Sequence, residues 1–212
     1  MRVERARDGA GGRERRAPGQ PPAPIRPLRR YEIVDLGRRV RYYSARTGYM
    51  TVAAGVAGDL IDRHRLTSAL ELGPHLRPLI VGADVMDIAS PKDLESEGRV
   101  IIHNATRDPW PVDDRQYDLF VALQVFEHLG TGQGAAFREV RRVARHAIIS
   151  LPIDWVMADP KNCHHQLSSE RALSWFLPVV PTRVVVGNGG SKKRLIYVFE
   201  DLPLPDVAAP AS

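Results

Sequence analysis

Glu71 and Gly73 close one short apolar run, Asp87 closes a second, Asn104 and Ala105 a third, and Gln124, Glu127 and His128 a fourth. If the runs are parallel strands, these residues gather at one edge of one sheet, where open α/β sheets bind ligands. The glycine matters because a missing Cβ permits a sharp turn and lets the backbone approach a nucleoside closely. Histidine beside glutamate adds a group that can take a proton from an amine or hydroxyl near neutral pH. A further cluster, Asn162-Cys163-His164-His165, lies in the long loop after a fifth run and can face the same cleft. Adjacent histidines do not converge on one ion without more ligands, so no metal site is expected.

The elements that must position these groups are read from periodicity. Strands are expected over residues 68–73, 83–88, 99–105, 118–126 and 146–153. The fourth, DLFVALQVF, is the continuous apolar run of a strand buried on both faces. Apolar residues at helical spacing predict a helix over 49–64, against a sheet edge or over the site. They predict a second over 136–144, with Arg138, Glu139, Arg141, Arg142 and Arg145 on its outer face. Ser168 is suited to cap a helix reaching Phe176. The runs 182–186 and 194–200, joined through Asn188-Gly189-Gly190, suit an antiparallel hairpin. The expected fold is therefore α/β: a Rossmann-like, doubly wound, mostly parallel seven-stranded sheet ending in a C-terminal antiparallel hairpin.

Charge divides the chain. Residues 1–45 hold twelve arginines against five acids, whereas residues 46–212 hold eighteen Lys and Arg against twenty acids. The Pro, Gly and Arg-rich stretch 1–30 offers little to bury and is expected to be a disordered basic tail. A helical segment over 31–66 would cover the site, a core would run over 67–204, and 205–212 would be a flexible C-terminus. With no apolar run long enough to span a bilayer and no signal h-region, a cytoplasmic protein without membrane contact is expected. One cysteine, Cys163, excludes an intrachain disulfide.

The order of these sites resembles the class I S-adenosylmethionine-dependent methyltransferases over roughly residues 48–200. The stretch from Tyr117 to Leu129 (YDLFVALQVFEHL), with Trp110-Pro111-Val112 before it and REVRRV after it, is especially similar. The resemblance implies S-adenosylmethionine as cofactor. Glu71, Gly73 and Pro74 would shape the pocket for its methionine end, Asp87 would bind the ribose hydroxyls, Asn104 and Ala105 would meet the adenine, and Gln124 would lie beside the sulfonium. A ribose diol suits a carboxylate and an exocyclic amine suits an Asn carbonyl. Glu127 and His128 border the implied acceptor site as candidate catalytic groups.

The implied activity is methyl transfer to an oxygen or nitrogen of a small molecule. The lack of an Asn-Pro-Pro-Tyr or Asp-Pro-Pro-Tyr signature after the fourth strand argues against a nucleic-acid substrate. Two departures motivate a rival reading, a non-catalytic partner subunit: His75 stands where a second glycine is usual, and only ten residues separate Gly73 from Asp84. A third reading is nucleic-acid binding through the Arg-rich tail. Acceptor identity and oligomeric state are open at this point.

Overall fold

The computed structural model describes residues 24–90, 92–155, 167–187 and 193–205. In chain order the elements are β1 (Arg26–Pro27), α1 (Arg30–Arg39), α2 (Arg41–Ser44), α3 (Thr47–His64), β2 (Ala69–Leu72), β3 (Ile80–Val81), β4 (Asp84–Asp87), β5 (Val100–Ile102) and β6 (Tyr117–Leu123). A 3₁₀ turn (Phe126–His128), α4 (Gln133–Val143), β7 (Ala144–Pro152), α5 (Ser169–Ser174), β8 (Arg183–Gly187) and β9 (Arg194–Phe199) follow. Seven strands form one sheet in the order β5-β4-β2-β6-β7-β9-β8. The first five pair in parallel, and β9 joins β7 and β8 antiparallel. This is the expected Rossmann-like sheet.

Strand period decides which core each side chain enters. On β6, Leu119 and Val121 pack with α1 and α3, whereas Phe120 and Ala122 pack on the side of α4 and α5. β9 repeats the pattern: Ile196 and Val198 face the first layer, and Leu195, Tyr197 and Phe199 the second. Both faces are therefore covered, which is why the central strands read as unbroken apolar runs. Ser168 caps α5 by accepting from the Arg171 N–H at 3.2 Å, although the helix stops at Ser174, short of the expected Phe176.

Three expectations need correction. The tail does not extend to residue 30: Ile25 and Leu28 are buried, β1 pairs with β3, and Leu28 N–H donates to the Leu79 carbonyl. Two large apolar side chains among prolines are enough to anchor the segment, while residues 1–23 lie outside the described residues. The outer face of α4 is not all solvent. Glu139 and Arg141 are buried, because Glu139 accepts from the Trp110 N–H at 2.6 Å and Arg141 donates to the carbonyls of Pro203 and Leu204. Ala144 begins β7 instead of ending the helix.

The crossover from β2 to β4 contains no helix, as the ten-residue spacing required. Its backbone is held by three other devices. β3 pairs with β1, Glu71 accepts from the amides of Leu79 and Ile80, and the Tyr43 hydroxyl accepts from the amides of Leu76 and Arg77. The C-terminal residues 206–212, the loop carrying Asn162 to His165 and the hairpin turn at Asn188 lie outside the described residues.

Candidate functional site

At the point where the strand order reverses, between β2 and β6, a small pocket opens to solvent at the carboxyl ends of the strands. Its floor is Leu123 and Gln124, one wall is Glu71 with Pro74, His75, Arg77 and Leu79, and its roof is Tyr42, Tyr43, Arg46, Tyr49 and Met50. Floor and wall come from the ends of β2 and β6 and the loop between β2 and β3, whereas the roof comes from α2, α3 and their junction.

The wall turns at Gly73, whose φ of +61° is the left-handed conformation that glycine adopts without strain. Gly73 N–H donates to the Met86 carbonyl at 2.9 Å, and a Cβ here would stand 3.1 Å from a Val125 methyl. Glu71 is buried beneath the turn and receives 2.9 and 3.1 Å bonds from the amides of Leu79 and Ile80. Burial pushes its carboxyl up to about 7, although the two amides favour the charged form. Its oxygens are thus engaged in shaping the loop. His75, the departure from a second glycine, stacks on Tyr42 with ring centroids 4.1 Å apart and planes 11° from parallel. The imidazole is part of the roof joint.

Gln124 also has a positive φ, +60°, which for a non-glycine residue marks a position fixed by its surroundings. Its amide nitrogen lies 3.4 Å from the Ser150 hydroxyl, which shares a buried 2.6 Å hydrogen bond with the Tyr49 hydroxyl. Its carbonyl oxygen accepts from Arg194 Nε at 3.3 Å. The guanidinium of Arg194 lies over the rings of Tyr49 and Trp155, at 4.9 and 4.7 Å. In the roof, Arg46 lies 3.7 Å over the Tyr42 ring and donates to the Tyr42 carbonyl, while its Nε has no partner among the described residues.

Of the residues expected at the cofactor, Glu71, Pro74 and Gln124 line this pocket, and Gly73 forms the turn behind it. Asp87 ends the neighbouring strand β4, half-buried, with Oδ1 accepting from the Ile88 N–H at 2.7 Å. Asn104 and Ala105 follow β5. The Asn104 carbonyl oxygen accepts from the Thr106 N–H and hydroxyl at 3.0 and 2.9 Å, a local turn that leaves its NH₂ as the group to offer. The expected acceptor from an exocyclic amine is therefore engaged, and the remaining chemistry is that of a donor to a ring nitrogen. Ala105 is buried, and its carbonyl accepts from the indole N–H of Trp110.

Glu127 and His128 sit together on the 3₁₀ turn after β6. Glu127 is 3% exposed; burial raises its carboxyl to about 8, and Oε2 has no partner among the described residues. The His128 ring is half-exposed, 4.0 Å from Glu127 Oε1, and partial burial lowers its pKa. Sequence reasoning missed Arg46, Tyr49, Ser150 and Arg194. The Tyr42-Tyr43 pair preceding the expected roof helix was the one available signal; nothing about Arg194 at the start of an apolar run marked it as part of a site.

No protein-family model and no curated protein matches the chain. Among solved structures it is similar to the [4+2]-cyclase SpnF, at 9% identity and a TM-score of 0.47, over 65% of this chain and 75% of that one. It is similar to a SAM-dependent methyltransferase from Methanosarcina mazei, at 11% identity and 0.46, over 64% and 92%. The N-methyltransferase NodS from Bradyrhizobium japonicum, in complex with S-adenosylhomocysteine, gives 16% and 0.47, over 64% and 78%. Likeness at this level concerns the fold alone. The strand order of the molecule itself is that of a Rossmann-like, mostly parallel sheet closed by an antiparallel hairpin.

Proposed function

We propose that the chain is an S-adenosylmethionine-dependent methyltransferase acting on an oxygen or nitrogen of a small molecule. The observation that carries this reading is the pocket at the switch point, lined by Glu71, Pro74 and Gln124 and closed by an arginine and three tyrosines. Open α/β sheets bind nucleotide-like ligands at that position.

The residues present fit the cofactor's chemistry. Arg46, whose Nε has no partner among the described residues, lines the pocket and offers a carboxylate a donor at the methionine end. Asp87 retains Oδ2 for a ribose hydroxyl, and Asn104 offers its NH₂ toward the base. When bound, S-adenosylmethionine supplies a methyl group activated by a sulfonium. The protein's part is positioning and desolvation, which account for much of the barrier reduction in such transfers. Burial raises the Glu127 carboxyl to about 8, so it is half-ionised near pH 8, where it can take the proton that the nucleophile loses. The tyrosines of the roof exclude water.

The test is calorimetric titration with S-adenosylhomocysteine. Micromolar binding by the wild type, weakened about 10- to 100-fold by Asp87→Ala with the fold intact, supports the reading. No binding by the wild type would favour the non-catalytic subunit.

A further inference from the structure

Arg194 and Glu127 are both more than nine-tenths buried, and each has one polar atom, Nη1 and Oε2, without a partner among the described residues. Leaving a buried donor or acceptor unpaired costs free energy that a fold does not ordinarily carry. The two are not an ion pair, since no nitrogen of Arg194 comes within salt-bridge distance of Glu127 among the described contacts. Arg194 is held rigidly all the same. Nε is tied to Gln124, and the guanidinium lies against both the Tyr49 and Trp155 rings, which favours a planar cation and fixes its plane. Close packing is also visible at Gly187 on the paired strand β8, where a Cβ would stand 3.1 Å from the Tyr49 ring. What results is a preorganised cation whose buried Nη1 has no partner among the described residues, on the side of Gln124 away from the Gly73 turn.

That placement separates two ligand ends. The strands run β4, β2, β6, β7, β9, so Asp87, Gly73, Gln124 and Arg194 follow one another along the carboxyl edge. The first three stand at the positions assigned above to the ribose, methionine and sulfonium of the proposed cofactor, and Arg46 and Arg77 line the pocket on the Gly73 side. Arg194 adjoins Gln124 from the opposite side, next to the sulfonium position but outside the pocket lining, which is where an acceptor approaching the methyl group would come.

We propose that Arg194 is the receptor for a carboxylate or phosphate oxygen of the methyl acceptor, making the substrate an anionic small molecule; this rests on the methyltransferase reading of the pocket. Glu127, with its own unpaired oxygen, then faces the nucleophilic end of the same molecule. An anion bound to Arg194 satisfies Nη1 and neutralises a charge that the protein otherwise leaves buried.

The experiment uses the full chain saturated with S-adenosylhomocysteine and titrated with benzoate and, separately, inorganic phosphate at constant ionic strength, read by Trp155 fluorescence. The expected result is a saturable change in the wild type, weakened at least tenfold in Arg194→Met and retained in part in Arg194→Lys. Because Arg194 also holds Gln124, affinity for S-adenosylhomocysteine and for 5′-methylthioadenosine should fall together and by less than about tenfold in Arg194→Met. Arg194→Met should melt no lower than a few degrees below the wild type, since it removes an unsatisfied charge. Weaker binding of S-adenosylhomocysteine by Arg194→Met, with 5′-methylthioadenosine unaffected, would assign Arg194 to the cofactor's own carboxylate and overturn the proposal. So would the lack of any saturable response in a wild type that binds S-adenosylhomocysteine. If the wild type does not bind S-adenosylhomocysteine, the methyltransferase reading and the acceptor role fall together. The same titration of the ligand-free chain then shows whether Arg194 is an anion receptor at all.

Discussion

The carboxylate of Glu71 accepts a 2.9 Å hydrogen bond from the backbone N–H of Leu79, eight residues further along, and a second from Ile80. Through this clasp the loop between β2 and β4 keeps its course without a crossover helix. Glu71→Ala leaves two buried amides unpaired and opens a cavity. We expect a loss of about 2–4 kcal/mol in urea unfolding, with Glu71→Gln losing less because one carbonyl oxygen remains. A change within 0.5 kcal/mol, on the order expected of an ordinary surface site, would show that the clasp is dispensable.

Truncation should divide at residue 24. Removing residues 1–23 is expected to leave the melting temperature within about two degrees of the full chain. Removing 1–30 also deletes β1, the buried Ile25 and Leu28, and the Arg26 ion pair with Glu32. That should lower it by about 4–16 degrees, on the order of 2–4 kcal/mol of lost burial. Equal melting of the two shortened chains in calorimetry would refute the assignment of 24–30 to the fold.

Stability should fall as pH rises from 7 to 8, and Glu127 should be the cause. A carboxyl whose folded pKa is raised binds its proton more tightly in the folded chain, so the folded state is favoured at low pH and loses that advantage between the unfolded and folded values. For Glu71 that window closes near pH 7, and for Glu127 near pH 8. Glu32 and Glu200, lowered to about 2 by their arginine partners, act only below pH 4.5. His128 and His146, lowered by burial, act below pH 6.5 with the opposite sign. Denaturant titrations of the wild type should therefore slope downward at up to about 1.4 kcal/mol per pH unit through this interval, and Glu127→Gln should flatten the slope. An unchanged slope in the variant would remove Glu127 as its source.

Glu127 and His128 should part company in the chemical step. If Glu127, with its buried Oε2 unpartnered among the described residues, is the proton acceptor, Glu127→Gln should slow single-turnover methyl transfer by about 10²-fold or more. His128→Asn, on a half-exposed ring, should slow it less than about tenfold. The reverse ranking, with loss of the pH profile in His128→Asn, would make His128 the base.

The strands were legible because burial on both faces leaves an apolar signature that needs no knowledge of neighbours, and β6 shows it best. The site was legible only where it follows directly from a strand end, as at Glu71, Gly73 and Gln124. Asn104 was read by its type, but its carbonyl serves Thr106; the Asn-Ala-Thr spacing of a side-chain turn was present in the sequence to be noticed. Arg194 was illegible because its meaning depends on Gln124, seventy residues earlier, and on Tyr49, far earlier still. Ile25 and Leu28 were lost among prolines for a similar reason: composition measures the average of a segment, and two anchors suffice to hold it.

The roof of the pocket is a different stretch of chain from its floor, attached through the Tyr42 and His75 rings, the Tyr43 hydroxyl and the β1–β3 pair. Any ligand lying between them is therefore in thermodynamic linkage with the closure of α2 and the first turn of α3 over the sheet. Amide hydrogen exchange reads that coupling directly: saturation with S-adenosylhomocysteine should slow exchange across residues 40–50 and 74–80 together. Tyr43→Phe, which keeps the ring in the lining but removes the hydroxyl's bonds to Leu76 and Arg77, should weaken the ligand by loosening this attachment.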